Sequence, residues 1–270
     1  MQETKSQTIV RAQSELKRDG VTLLPDIFSK AQCEEYVTIF DRIIEKSPAD
    51  TKNRINPEVQ SVNNYFRHDG KLMELIYIPI LDELFKILIN EDHVLIAANS
   101  FNRRKSEIVN QNLQYEHSRN AGHNWHIDSD YVGGVRLDSG FSYQVIIMLE
   151  DFTADNGATQ YVKDSHKDRS RPDRMGDYPF ELITGNAGTV GVIDSGLWHR
   201  SGDISQRSRW GIFNTYGPWF VKPYFRFPEM LGEETGSQLG PQLRRLLHYR
   251  SIPPLDEQDR LNTVVREEES

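Results

Sequence analysis

From about His93 the chain breaks into short runs rich in β-branched and aromatic residues, each closed by turn residues. This texture constrains the fold more than any other feature of the sequence. The runs Val94 to Ala98, Asn124 to Asp128, Ser142 to Leu149, Ala158 to Val162, Thr189 to Ile193 and Trp210 to Tyr216 have strand length and composition. Turn signals separate them: Gly133-Gly134, Asn156-Gly157, Gly185 to Gly188, Ser195-Gly196 and Gly217-Pro218. Such a series predicts a mainly β fold with a jelly-roll, cupin-like core, a double-stranded β-helix.

The residues before His93 have helical spacing instead. Ser6 to Lys17 reads as a surface helix stopped by Gly20, Val21 to Leu24 as a strand, and Ser29 opens a helix with Tyr36, Phe40, Ile43 and Ile44 on one face. Leu72 to Ile89 repeats the helical pattern and is broken by Pro79. These helices are expected to buttress one sheet. The expected layout is one domain over residues 1–270, with a helical buttress at 1–92, the jelly-roll core at 93–228 and a cover or interface segment at 229–270. That last segment is polar, with one helix predicted over Pro241 to Tyr249 and an acidic end.

Charge and composition narrow the function classes. With 32 Lys and Arg against 40 Asp and Glu, the net charge of −8 offers no overall positive field to a nucleic acid or an anionic membrane. No apolar stretch reaches the length of a membrane span, and the first residues lack the apolar core of a signal peptide. A single cysteine, Cys33, closes no intramolecular disulfide and builds no multi-thiolate metal site, which fits a cytoplasmic protein. The oligomeric state is not legible, and a homodimer stays open.

Phosphate-binding glycine loops, His-Glu-x-x-His, dinucleotide fingerprints and Gly-x-Ser-x-Gly are all absent. What remains is histidine with carboxylate. His126-Ile127-Asp128 puts two metal-competent side chains at i and i+2, on one face of a strand. Alone the spacing is weak, since about one such pair is expected by chance in a chain of this composition. His166-Lys167-Asp168 is a second instance, but the polar run Lys163 to Arg174 around it reads as a solvated loop. His199, just past the Thr189 to Ile193 strand, is the best third ligand. Two imidazoles and one carboxylate with open positions form the facial triad of non-haem Fe(II) oxygenases.

Arg209 follows His199 by ten residues. If Trp210 to Tyr216 runs antiparallel to the strand carrying His199, the guanidinium enters the same barrel mouth, where it can bind a carboxylate bidentately. It would then hold the far carboxylate of a dicarboxylate co-substrate, with the Ser201 hydroxyl as a second donor and Arg207 as the reserve candidate.

Together these residues resemble the phytanoyl-CoA dioxygenase family of Fe(II)- and 2-oxoglutarate-dependent oxygenases. The resemblance spans most of the chain: LKRDGVTLLPDIF at Leu16 to Phe28, WHIDSD at Trp125 to Asp130, DNGATQYVKDSHK at Asp155 to Lys167, and LWHRSGDISQRSRWGIFNTY at Leu197 to Tyr216. It implies that His126, Asp128 and His199 bind iron and that Arg209 and Ser201 hold 2-oxoglutarate, with Gln144 as a further co-substrate contact. The implied reaction consumes O2, releases succinate and CO2, and hydroxylates a small-molecule substrate. Where the family usually carries Pro-Gly before Ser165-His166, this chain has Lys163-Asp164. Related halogenases leave the carboxylate position small to admit chloride, so Asp128 favours oxygenation.

Two rival classes stay in view: a non-catalytic jelly-roll metal- or ligand-binding module, and a cupin-type metal-dependent isomerase or hydrolase. Neither needs a dicarboxylate clamp. His68, His93, His117 and His248 read as surface or capping residues, and His123 as facing away from the ligands. Trp125, Trp198, Trp210 and Tyr216 read as core. The basic segment Arg103 to Asn124, with Arg104, Lys105 and Arg119, is the candidate substrate-facing lid.

Overall fold

Helix α1 (Lys5–Asp19) begins at a reciprocal cap, in which Thr4 and Gln7 bond each other's backbone. It stops where Gly20 turns left-handed at φ 80° and returns its N–H to the Leu16 carbonyl. This geometry comes from a computed structural model that describes residues 3–46, 59–103, 124–128, 140–168, 171–202, 209–251 and 255–258. The chain then enters β1 (Val21–Leu24) and α2 (Lys30–Lys46), the latter capped by Ser29 and Gln32 in the same reciprocal way. In α2, Cys33, Tyr36, Phe40 and Ile43 recur every three or four residues and form one buried stripe.

After β2 (Val59–Ser61), a 3-10 turn at Gly70–Leu75 precedes α3 (Pro79–Leu88). Pro79 therefore starts a helix rather than kinking one, because its missing N–H falls where a helix needs none. The remaining strands are β3 (Val94–Arg103), β4 (Tyr143–Met148), β5 (Thr159–Tyr161), β6 (Glu181–Ile183), β7 (Val190–Asp194), β8 (His199–Arg200) and β9 (Arg209–Gly217). Together with β1 and β2, four of these form an antiparallel six-stranded sheet in the order β1-β7-β4-β9-β3-β2, and β6-β5-β8 form a smaller one. The jelly-roll expectation is met, with mixed helices on one side.

Alternation along the large sheet divides the core in two. Val145, Ile147, Val190, Val192, Trp210 and Ile212 pack outward on α1, α2 and α3, while Ile146, Met148 and Ile193 pack inward with Phe152, Tyr161 and Leu197 of the opposing layer. Full burial of each large apolar side chain contributes roughly 1.5–3 kcal/mol, so both clusters are needed to fix the layers. Trp125, Trp198, Trp210 and Tyr216 are all buried, as the sequence suggests.

Several expectations need correcting. Asn124 to Asp128 is no full strand; only His126 makes a bridge, to His199. His166 lies buried in a 3-10 turn (Ser165–Lys167) against the end of α1, with Nε2 3.3 Å from the Lys17 carbonyl, rather than in a solvated loop. The preceding Asp164 takes φ 68°, a left-handed conformation that glycine adopts freely and aspartate tolerates. His93 and His248 are buried rather than on the surface, whereas His68 is exposed. A helix not read from the sequence, α4 (Phe227–Gln238), is interrupted at Gly232 with φ 80°, and α5 (Pro241–Leu246) follows it. His117, His123, Arg207, the acidic end and residues 104–123 of the candidate lid lie outside the described residues. No helix among the described residues is long and apolar enough to cross a membrane.

Candidate metal centre and co-substrate site

His126 and His199 meet through their backbones before their side chains are considered. Each donates its N–H to the other's carbonyl at 3.0 Å, and the Asp128 N–H reaches the Ser195 carbonyl at 2.9 Å. Two segments far apart in sequence are thereby aligned, and the side chains of His126, Asp128 and His199 converge. One ligand atom from each lies within 4.8 Å of the other two. Nε2 of His126 is 3.7 Å from one Asp128 oxygen, and Nε2 of His199 is 3.6 Å from the other.

The remaining ring nitrogens explain the direction. Nδ1 of His126 lies 2.8 Å from the Asn124 carbonyl, and Nδ1 of His199 lies 2.8 Å from the Leu197 carbonyl. A carbonyl only accepts, so both Nδ1 atoms carry the proton and both Nε2 lone pairs face the centre. Burial, followed by the neighbouring His199, brings the His126 pKa down to about 4, so the ring is neutral and available as a ligand near pH 7. Two imidazole nitrogens and a carboxylate oxygen are a donor set that suits Fe(II).

Gln144 occupies an inward position on β4, where its amide donates to Asp128 Oδ2 at 2.5 Å. It thus touches the triad directly. Behind the ligands, the Arg200 guanidinium lies 4.4 Å from the Trp125 ring centre, and its Nε donates to Gln160 at 2.6 Å. This clamp ties the residues next to His126 and His199 together on the outer face of the small sheet. No sequence motif signals it.

Arg209 does not lie on a strand paired with the one that carries His199. β9 pairs with β4 and β3 in the large sheet, whereas β8, which carries His199, pairs with β5 in the small one. The chain changes layer at the Ser195-Gly196 turn, so Arg209 and His199 approach from opposite sides of the sandwich. Arg209 still points between the layers: its neighbour Trp210 faces the helices, stacked on Phe40 at 4.9 Å, and alternation sends Arg209 the other way. It is buried, with its guanidinium 3.5 Å from the Phe152 ring centre and one nitrogen donating to the Gly157 carbonyl. Gly211 clears the space beside it, since a Cβ there would fall 2.6 Å from the Phe152 ring and 3.1 Å from the guanidinium. Phe152, Gly157 and Gly211 escape a sequence reading because nothing in their spacing announces them. Ser201 lies partly buried just beyond β8.

The sequence profile of the phytanoyl-CoA dioxygenase (PhyH) family matches residues 16–211. Dioxygenase af480 of Aspergillus fumigatus is 27% identical over 260 residues, covering 89% of this chain and 77% of that protein. Among solved structures, HygX of Streptomyces hygroscopicus with nickel, 2-oxoglutarate and hygromycin B superposes with a TM-score of 0.60 at 15% identity, covering 82% of this chain and 94% of that one. The epimerase SnoN, with Fe3+, α-ketoglutarate and nogalamycin RO, gives 0.57 at 14% identity, over 80% and 86% of the two chains. The fold, the converging ligand set and the family match agree: this chain belongs to the phytanoyl-CoA dioxygenase family of iron- and 2-oxoglutarate-dependent oxygenases.

Proposed function

We propose that this dioxygenase is a single catalytic domain in which His126, Asp128 and His199 hold Fe(II), Arg209 and Ser201 hold 2-oxoglutarate, and a small-molecule substrate is hydroxylated in the cytoplasm. The observation that carries the reading is the shared tautomer of the two histidines, which turns both Nε2 lone pairs and the Asp128 carboxylate onto one point. When bound, iron with 2-oxoglutarate and O2 supplies the oxidising chemistry, leaving succinate and CO2. The chain's own residues bind and orient. Gln144 holds one Asp128 oxygen and so fixes the plane of the carboxylate. Arg209, buried under Phe152 between the layers, offers a permanent counter-charge to a dicarboxylate in a site shielded from water. HygX and SnoN, with hygromycin B and nogalamycin RO in their structures, support a small-molecule substrate, and the single buried cysteine supports a reducing compartment.

Anaerobic titration with Fe(II) and then 2-oxoglutarate tests the assignment. One Fe(II) per chain and a weak visible charge-transfer band on adding 2-oxoglutarate are expected. His199→Ala should lose both. Iron binding without any 2-oxoglutarate response would favour the cupin-type isomerase or hydrolase, and normal iron-dependent turnover in His199→Ala would remove that residue from the ligand set.

A further inference from the structure

The two histidines of the ligand set stand on thinly paired backbone. Among the described residues, the stretch 124–128 makes one bridge, His126 with His199. Its other backbone bonds are single ones, from the Trp125 N–H to the Arg174 carbonyl at 3.1 Å and from the Asp128 N–H to the Ser195 carbonyl at 2.9 Å. Strand β8, which carries His199, is two residues long and meets β5 with Gln160 opposite Arg200 and Tyr161 opposite His199. Each imidazole is also tied to its own backbone, because Nδ1 bonds the carbonyl two residues earlier. A shift of either segment therefore carries an Nε2 atom with it. Metal–ligand distances tolerate only about 0.2 Å, so the two segments have to be held in register.

The outer face supplies that hold. Because His126 and His199 form an antiparallel bridge, Trp125 and Arg200 lie opposite each other one step along, and alternation turns both away from the side of the ligands. The contacts agree. The Arg200 guanidinium carbon lies 4.4 Å from the Trp125 ring centre and 5.7 Å from that of Phe180, and Nε donates to Gln160 Oε1 at 2.6 Å. Gln160, Arg200 and Trp125 thus form a row across three segments, directly behind the row of Tyr161, His199 and His126. Trp125 is buried and meets Tyr178 edge-on at 5.7 Å, which leaves the indole little room to yield.

We infer that Arg200 is a positioning residue of the metal centre: by bracing Trp125 against β5 it fixes the separation of His126 and His199, and so sets how tightly the site holds a divalent cation. This rests on the iron reading above and deepens it. The sign of the effect separates a brace from a charge. A guanidinium on the residue next to a ligand repels a divalent cation, so through its charge alone Arg200 would weaken metal binding. As a brace it strengthens it.

The test titrates Co(II), whose visible absorption reports its coordination geometry, into the metal-free full chain, with urea unfolding of the same metal-free proteins beside it. Wild type should bind one Co(II) per chain, and His199→Ala should lose it. Arg200→Leu removes both the cation and the donor, and should bind Co(II) about tenfold more weakly with an altered spectrum, the usual size of loss when a partner behind a metal ligand is removed. Arg200→Lys returns a cation to Trp125, but one ammonium cannot cover the ring and reach Gln160 together, so it should fall between. Unchanged or tighter Co(II) binding in Arg200→Leu, or in Arg200→Lys where the leucine variant does not fold, would overturn the brace. So would a lower urea midpoint with wild-type Co(II) affinity and spectrum, which would assign Arg200 to packing alone. Failure of wild type to bind Co(II), or binding undiminished in His199→Ala, would instead overturn the ligand assignment on which the inference rests.

Discussion

Arg209 owes its direction to Trp210. The indole is fixed on the helical side by stacking on Phe40 and by an Nε1–H donated to Asp41 at 3.0 Å, so the preceding side chain has only the interior left. There the guanidinium carbon lies 3.5 Å from the Phe152 ring centre, a contact that a planar, weakly hydrated cation makes better than an ammonium. Arg209→Lys keeps the charge but loses the fork. We expect 2-oxoglutarate to bind ten- to a hundredfold more weakly, roughly 1.4–3 kcal/mol, with iron affinity nearly unchanged. Anaerobic calorimetry with each ligand in turn reads both numbers. Unchanged 2-oxoglutarate affinity would take the clamp away from this residue.

Strand β9 shows how an element makes room for its own side chain. Arg209, Gly211 and Phe213 share its inward face, and the middle position is small because Phe152 and the guanidinium already fill the space above it. Gly211→Ala should therefore tilt the ring and the cation apart, weakening 2-oxoglutarate severalfold while leaving Fe(II) titration as in the wild type; overpacking of this kind costs about 1–3 kcal/mol. A denaturation midpoint that falls with no change in 2-oxoglutarate affinity would assign the glycine to packing alone. The long strands β3, β4, β7 and β9 were legible because alternation and turn residues persist over five residues or more. The strands β2, β6 and β8 have three, three and two residues, too few for any period to show, whereas the equally short β5 is marked by the Asn156-Gly157 turn before it. Helix α4 was hidden by its polar sequence and the break at Gly232. At the site, polar residues at strand spacing revealed His126, Asp128 and His199 as candidates, while the apolar partners of Arg209 are ordinary core residues by composition. Which strand neighbours Arg209 is not legible, because a two-residue turn does not disclose that the chain changes sheets.

At the scale of the molecule, the segment after β9 returns to the helical layer and is fastened by buried charge. Arg245 on α5 pairs with Asp82 on α3 and also bonds the Glu91 carbonyl and His93, while His248 bonds the Leu95 carbonyl at 2.8 Å. Burial alone would raise the Asp82 pKa, but Arg245, Lys86 and His93 outweigh it and hold the carboxyl below its usual range. His93 is pushed the same way, to about 4, first by burial and then by the Arg245 charge. Both groups therefore bind protons less readily folded than unfolded, so the stability these two contribute is complete above about pH 6.5 and falls with acidification, first through His93 between about 6.5 and 4 and then through Asp82. Equilibrium unfolding in urea across that range should show the slope, and His93→Gln should flatten its upper part. At pH 7, Arg245→Ala should cost less than the ~3–5 kcal/mol of a fully broken buried pair, since the Asp82 carboxylate keeps Lys86 at 3.1 Å.

The reciprocal bonds between His126 and His199 have one more consequence. The two positions are 73 apart in sequence, with β4, β5, β6 and β7 between them. A metal held by both side chains closes that span as a cross-link would, and a closure of this length removes roughly 4 kcal/mol of freedom from the unfolded chain. An ion held there would thus also act as a rivet through the sandwich, and the metal-loaded protein is expected to unfold at higher urea than the metal-stripped one, whether or not it turns over.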